Sequence, residues 1–244
     1  MIADVLTVMW KDVRELLLGG GTRRGWLSLL MVVGVFGIFL PLQFGRGWIE
    51  SPLTLIYWAW IPLFMISGSV SDSFAGERER HTLETLLASR LSDRAILFGK
   101  FCTAVCYGWG LTVVSLLIGL VTINVAHGRG ELLWYPAPVF WGAIVLSLLM
   151  SSLTASIGVL VSLRASTVQQ AAQRMSLGVM ILIFGPILIL QVLPGEWQVR
   201  IVQSVQNTGL AGVAAIGLTF LVALNALFLA AAMARFRRAR LILD

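Results

Sequence analysis

Along this chain apolar residues gather into six long runs, and every acidic and basic side chain falls between or outside them. The charge-free windows are Gly25 to Phe44, Leu53 to Ser71, Phe101 to Ala126, Pro136 to Leu163, Met175 to Leu193 and Leu210 to Ala234. A helix needs about 20 predominantly apolar residues to cross roughly 30 Å of hydrocarbon, and each window has that length. The pattern predicts an all-α polytopic membrane protein, one transmembrane domain over 1–244 with spans at 25–44, 53–71, 97–126, 136–163, 175–194 and 209–235. No internal repeat, low-complexity tract or linker divides it.

Two further stretches read as helices that do not cross. In residues 1–20, Val5, Met9, Val13, Leu16 and Leu17 fall at helical spacing while Asp4, Lys11, Asp12, Arg14 and Glu15 take the other side, and Gly19, Gly20 and Gly21 follow as a stop. This predicts an amphipathic helix in the headgroup plane that turns into the first span at Trp26, serving either as an anchor or as a mechanical part. Late in the chain Trp197, Ile201 and Val205 repeat every four residues beside Gln198, Gln203 and Gln206, which predicts a short helix in the outer interface.

Composition agrees with the pattern: 58% of residues are apolar, 12% are charged, and the mean hydropathy is +0.88, beyond what a soluble core of this length requires. Of eighteen Lys and Arg, all but Arg46, Arg129 and Arg200 fall on one side of the predicted topology. That side is expected to be the cytoplasm, so both termini are expected there, in a cell (inner or plasma) membrane. The pI near 10.1 then reports topology and contact with anionic lipid, and a nucleic-acid partner is excluded. Trp48, Trp134, Tyr135 and Trp197 are expected at the outer ends as an interfacial belt. The first eighteen residues mix acids with bases, unlike a cleavable signal, so the mature chain is expected to start at Met1.

Candidate chemistry is sparse. With no ionisable side chain in any window, ion relays and intramembrane catalysis are disfavoured, and His81 and His127 both lie in connections. A rhomboid-like protease would need an intramembrane histidine facing a serine, which the serines of Gly68-Ser69-Val70-Ser71 lack. Cys102 and Cys106, four apart on one helix face, read as small buried apolar side chains rather than a soft-metal pair, and no metal site is expected. Uncharged polar residues within the spans either pack helices together or line a path. Ser67, Ser69, Ser151, Ser152 and Asn225 are the candidate path residues. Pro62 and Pro186 are expected to kink the second and fifth spans.

The charge-rich connection after the second span is the most informative stretch. Leu83, Leu86 and Leu87 form a narrow apolar ridge on a predicted helix at 76–90 whose first turn carries Glu77 and Glu79, and Ser92 is placed to cap the next helix with Asp93 in its first turn. Such a helix suits docking to a soluble partner, leucines anchoring and charges setting register. It equally suits lying on the lipid surface.

The run resembles the signature of the type 2 ABC exporter permeases: Glu77-Arg78-Glu79, Thr82-Leu83-Glu84, Leu86-Leu87, Ser92 and Gly99-Lys100 match in order and spacing. His81 stands where that family usually has Gly, and Arg90 where it often has Pro. The resemblance implies a coupling helix between spans two and three that docks in a cleft of a separate ABC ATPase through Glu77, Arg78, Glu79, Arg80, Thr82, Leu83, Glu84, Leu86 and Leu87. It further implies two ATPase copies per complex and a second permease copy, as a homodimer or a homologous heterodimer. No P-loop motif is present, so ATP and Mg are expected on the ATPase and no cofactor on this chain. The implied function is export of an amphipathic or hydrophobic substrate, the alternative being a non-transporting transducer that relays ATPase motion to an outer partner.

Overall fold

A computed structural model describes residues 2–18, 22–82, 88 and 90–236, and the regular elements among them are all helical. Helix α1 covers Ile2–Leu18. The first span is a helical rod in three parts: α2 (Thr22–Val32), a π-helical stretch π1 (Val33–Phe39) and α3 (Leu40–Phe44). After a single turn, α4 (Gly47–Glu50), come α5 (Thr54–Glu79), α6 (Asp93–His127), α7 (Ala137–Arg164), α8 (Val168–Val192) and α9 (Gly195–Arg235). Six stretches among these are long and apolar enough to cross a membrane, Trp26–Phe44, α5, α6, α7, α8 and Gly212–Arg235. This is the all-α, six-span fold that the apolar runs predict.

Three local features depart from a plain reading of the runs. Helix α5 does not stop where charge-free sequence ends at Ser71 but continues through Glu79. Residues 76–79, expected to open a separate coupling helix, are therefore its last turns. Within the first span the Leu40 N–H reaches back five residues to the Val35 carbonyl, which closes π1. In α9 the helix is broken at Gly209, whose φ of 71° suits a residue without Cβ, so a helix beginning at Gly195 precedes the sixth span.

Helices α5, α6 and α7 form the centre of the bundle, with α5 and α7 in the most extensive contact. Gly158 of α7 lies against Val70 and Gly108 of α6 against Ile66, positions where a Cβ would collide with the facing side chain. The first span and α1 pack on α6, α8 leans on α5, and α9 leans on α7. These outer helices present large apolar side chains outward, among them Leu30, Met31, Ile181, Ile189, Phe220 and Leu227. In a multi-pass membrane protein such surface meets lipid or another apolar protein.

The interior is divided into two clusters. At the end rich in Lys and Arg, hereafter the basic end, Ile66, Val70, Phe74, Ile96, Leu97, Val159 and Phe236 pack together. At the opposite end the cluster is built on Trp48, Trp58, Ile61, Leu116, Ile123 and Tyr135. Trp48 is fully buried, 5.3 Å from the Tyr57 ring and 5.4 Å from Trp58, and the Tyr135 hydroxyl donates to the Leu116 carbonyl. The expected aromatic belt is thus corrected at two of its four members. Trp134 and Trp197 are exposed, whereas Trp48 and Tyr135 bind the helices to one another. The two cysteines also differ from expectation, Cys102 being half-buried and Cys106 exposed.

Candidate functional site

The four charged residues that close α5 each reach a different part of the protein. Glu77 is 3% exposed, and its Oε1 accepts from Lys100 Nζ of α6 at 2.9 Å and from Lys11 Nζ of α1 at 3.1 Å. Lys100 also lies 3.5 Å from Asp12 of α1 and 5.3 Å from the centre of the Phe74 ring. Two lysines and two carboxylates thus form a charge-balanced knot where three helices meet. Taking charges from water costs several kcal/mol per ion, so such a knot holds only while its partners are all in place.

Arg78 turns the other way and donates to the carbonyls of Ala165 at 2.6 Å and Leu163 at 3.3 Å, at the C-terminal end of α7. A guanidinium there satisfies carbonyls left without intrahelical donors and complements the helix dipole. Glu79 accepts from the Val168 N–H at 3.1 Å, at the N-terminus of α8, where a carboxylate is favoured. Thr167 caps the same helix by accepting from the Gln170 N–H, while Gln170 reaches back to the Ser166 N–H. Arg80 pairs through one nitrogen with both oxygens of Asp72, two turns back on α5. That hydrogen bond, with the attraction of the same carboxylate, raises the Arg80 pKa.

The α5 terminus itself is a Schellman turn: Thr82 N–H bonds the Glu77 carbonyl, His81 N–H bonds the Arg78 carbonyl, and His81 has φ 57°. A left-handed residue at this position is most often glycine, because a Cβ crowds the following carbonyl. The glycine usual at this place in the resembled family is what the observed backbone prefers.

Ser162 of α7, missed in the sequence, locks the same region from the side. Its fully buried hydroxyl accepts from the N–H groups of Phe74 and Ala75, both at 3.0 Å, and donates to the Ser71 carbonyl at 3.2 Å. The only available signal was its membership in the serine-rich stretch of the fourth run.

On α1 the buried face is wider than the predicted one: Val5, Met9 and Val13 are half-buried, and Val8 and Asp12 join them. Val8 is buried against Gly99 of α6, and Asp12, placed by periodicity on the solvent side, faces Lys100. Burial lifts the Asp12 carboxyl above its ordinary value against the pull of Lys100 and Lys11. For Lys11 burial works downward, but attraction to Glu77, helped by Glu15 and Asp12, outweighs it and the pKa rises.

Of the predicted docking residues, then, Glu77 and Arg78 are turned into the protein, and Glu79 and Arg80, though exposed, hold Val168 and Asp72. Thr82 is exposed and follows the turn directly. Leu83, Glu84, Leu86 and Leu87 lie outside the described residues. Beyond them Ser92 caps α6 by accepting from the Ala95 N–H at 3.2 Å, with Asp93 in the first turn, as the sequence predicts.

The candidate path residues lie on α5, α7 and α9. Ser67 and Ser69 donate to carbonyls of their own helix, and Ser152 is half-buried on α7. Ser151 is fully buried beside Gly108, and Asn225 joins α9 to α7 through the Leu149 carbonyl at 3.2 Å. Among the described residues no group of three His, Cys, Asp or Glu is arranged to hold a metal ion.

Comparison with known proteins matches residues 50–232 to the model of the ABC-2 family transporter protein. The chain is also similar to the ABC transporter permease protein NatB of Bacillus subtilis (strain 168), 23% identical over 151 residues. That match covers 56% of this chain and 38% of the relative, so the chain spans well under half of the relative's length.

Proposed function

Since the chain belongs to the ABC-2 family of transporter proteins, we propose that it is the permease subunit of an ATP-driven exporter, worked by a separate ATPase that docks on the segment after α5. The observation that carries this reading is the anchoring of that segment. Glu77, Arg78 and Glu79 tie its base to α1, α6, α7 and α8 within one turn of helix. A push on residues 83–87 is therefore delivered to four other helices together, whereas a loop resting on lipid has no use for such a base. The Leu83, Leu86 and Leu87 ridge supplies apolar anchors, Glu84 the register, and the ATPase the ATP and Mg. A second permease copy, identical or homologous, completes the path for an amphipathic or hydrophobic substrate. Both termini and the basic end face the cytoplasm of a cell membrane.

The test is copurification. Replacing Leu83 and Leu87 with Asp is expected to abolish recovery of the ATPase with an affinity-tagged permease while membrane insertion persists. Undiminished recovery would remove the docking claim.

A further inference from the structure

At the end of the bundle opposite the docking segment, a groove of about 320 Å³ opens between the last turns of α6 and the segment that returns toward α7. Leu120, Val121, Val125, Leu132 and Trp134 line it, with Asn124 the one polar member. The Asn124 side chain is fully engaged: its Nδ2 donates to the carbonyls of Leu120 and Leu133, and its Oδ1 accepts from the Leu133 N–H at 2.7 Å. This clamp fixes Leu133 against the helix, and its neighbours Leu132 and Trp134 form one wall. The groove is therefore preformed, and what it offers an occupant is hydrocarbon.

The turn that leads into this wall carries a cation. Gly128 accepts from the Glu131 N–H at 2.8 Å, and Arg129 and Gly130 at the tip both have positive φ. Arg46 is drawn to Glu131 at 3.7 Å, but Arg129 is exposed and makes no ion pair among the described residues. It stands four residues from Val125 and three from Leu132. It follows directly on the end of a membrane-crossing helix, where a lipid headgroup lies, and the exposed indole of Trp134 is five residues further along the chain.

We infer that this groove is a phospholipid site: one acyl chain lies along Val121, Val125, Leu132 and Trp134, and the phosphate is held by Arg129. An arginine pairs with phosphate through two parallel N–H donors, which distinguishes a phospholipid from a neutral lipid of equal chain length.

Native mass spectrometry of the full chain, released from detergent micelles and titrated with palmitoyl-oleoyl phosphatidylglycerol, tests this. One adduct per chain is expected, held about tenfold more tightly than the matching diacylglycerol, as one charge-assisted contact provides. Arg129→Asn, a residue that accepts positive φ, should erase that preference. Val121→Trp, which fills the groove, should weaken both lipids about tenfold, and Leu132→Asp in the exposed wall should do the same if the tryptophan variant fails to fold. Diacylglycerol bound as tightly as phosphatidylglycerol, or adducts undiminished in the variants, would overturn the site. So would a dimer in the spectrum that Val121→Trp disperses, because the groove would then belong to a second copy.

Discussion

The two ends of this bundle are joined by opposite kinds of force. At the basic end Glu77, Lys100, Lys11 and Asp12 form a knot built on the buried Glu77–Lys100 pair, its members coming from α1, α5 and α6. At the other end Phe44, Trp48, Tyr57 and Trp58 pack ring against ring between the first two spans, stacked for Phe44 on Trp48 and tilted or edge-on for the rest. Ring contacts are individually weak and tolerant of small shifts. A buried ion pair has no such tolerance, because separating it strands a charge. The difference predicts that separating the helices costs more at the basic end than at the aromatic end.

Glu77→Gln should break the comparison most severely. Lys100 would keep only Asp12, at 3.5 Å, as an ionic partner, and the loss is expected to be about 3–5 kcal/mol, read from thermal melting in detergent. Adding Lys100→Met should recover much of it, since no unpaired lysine then remains, and a double variant as unstable as the single one would refute the knot. Trp58→Phe supplies the contrast at the other end. Its indole N–H has no partner among the described residues and a ring is retained, so a loss of about 1 kcal/mol is expected, and a cost equal to that of Glu77→Gln would erase the distinction between the ends. The smallest effect is expected at His81→Gly, which relieves the left-handed backbone. A gain approaching 1 kcal/mol in the same melt would agree with relief of the observed φ, and a loss would contradict it.

How far the sequence discloses this arrangement depends on how local the causes are. The spans follow from charge-free windows and the α6 start from Ser92, both properties of neighbouring residues. The extension of α5 does not, because the partners of Glu77 stand 66 and 23 residues away in the chain. A charge conventionally ends a membrane run, and only the fold shows that this one is neutralised in place. Trp48 and Tyr135 mislead for the same reason, since an aromatic at a helix end has the same sequence signature whether it meets headgroups or another helix. On α1, periodicity found the helix and the half-buried Val5, Met9 and Val13, but not the burial of Val8, which is set by the recess at Gly99. The docking motif is legible as a motif, yet its first half acts as a structural base, which only the contacts of Glu77, Arg78 and Glu79 disclose.

The π-helical stretch in the first span has a consequence for how this helix can vary over time. A π turn is an α-helix holding one residue more than its pitch needs, and that residue turns everything beyond it by about 100°. Here it brings the Gly37 carbonyl to the Thr122 hydroxyl at 2.8 Å and sets Gly37 against Ile118. The first span thus carries a single unit of slack, an insertion tolerated because a neighbouring helix uses it. A lineage losing one residue between 33 and 39 would regain a regular helix and keep its length across the bilayer nearly unchanged. It would lose the grip on α6 at that level.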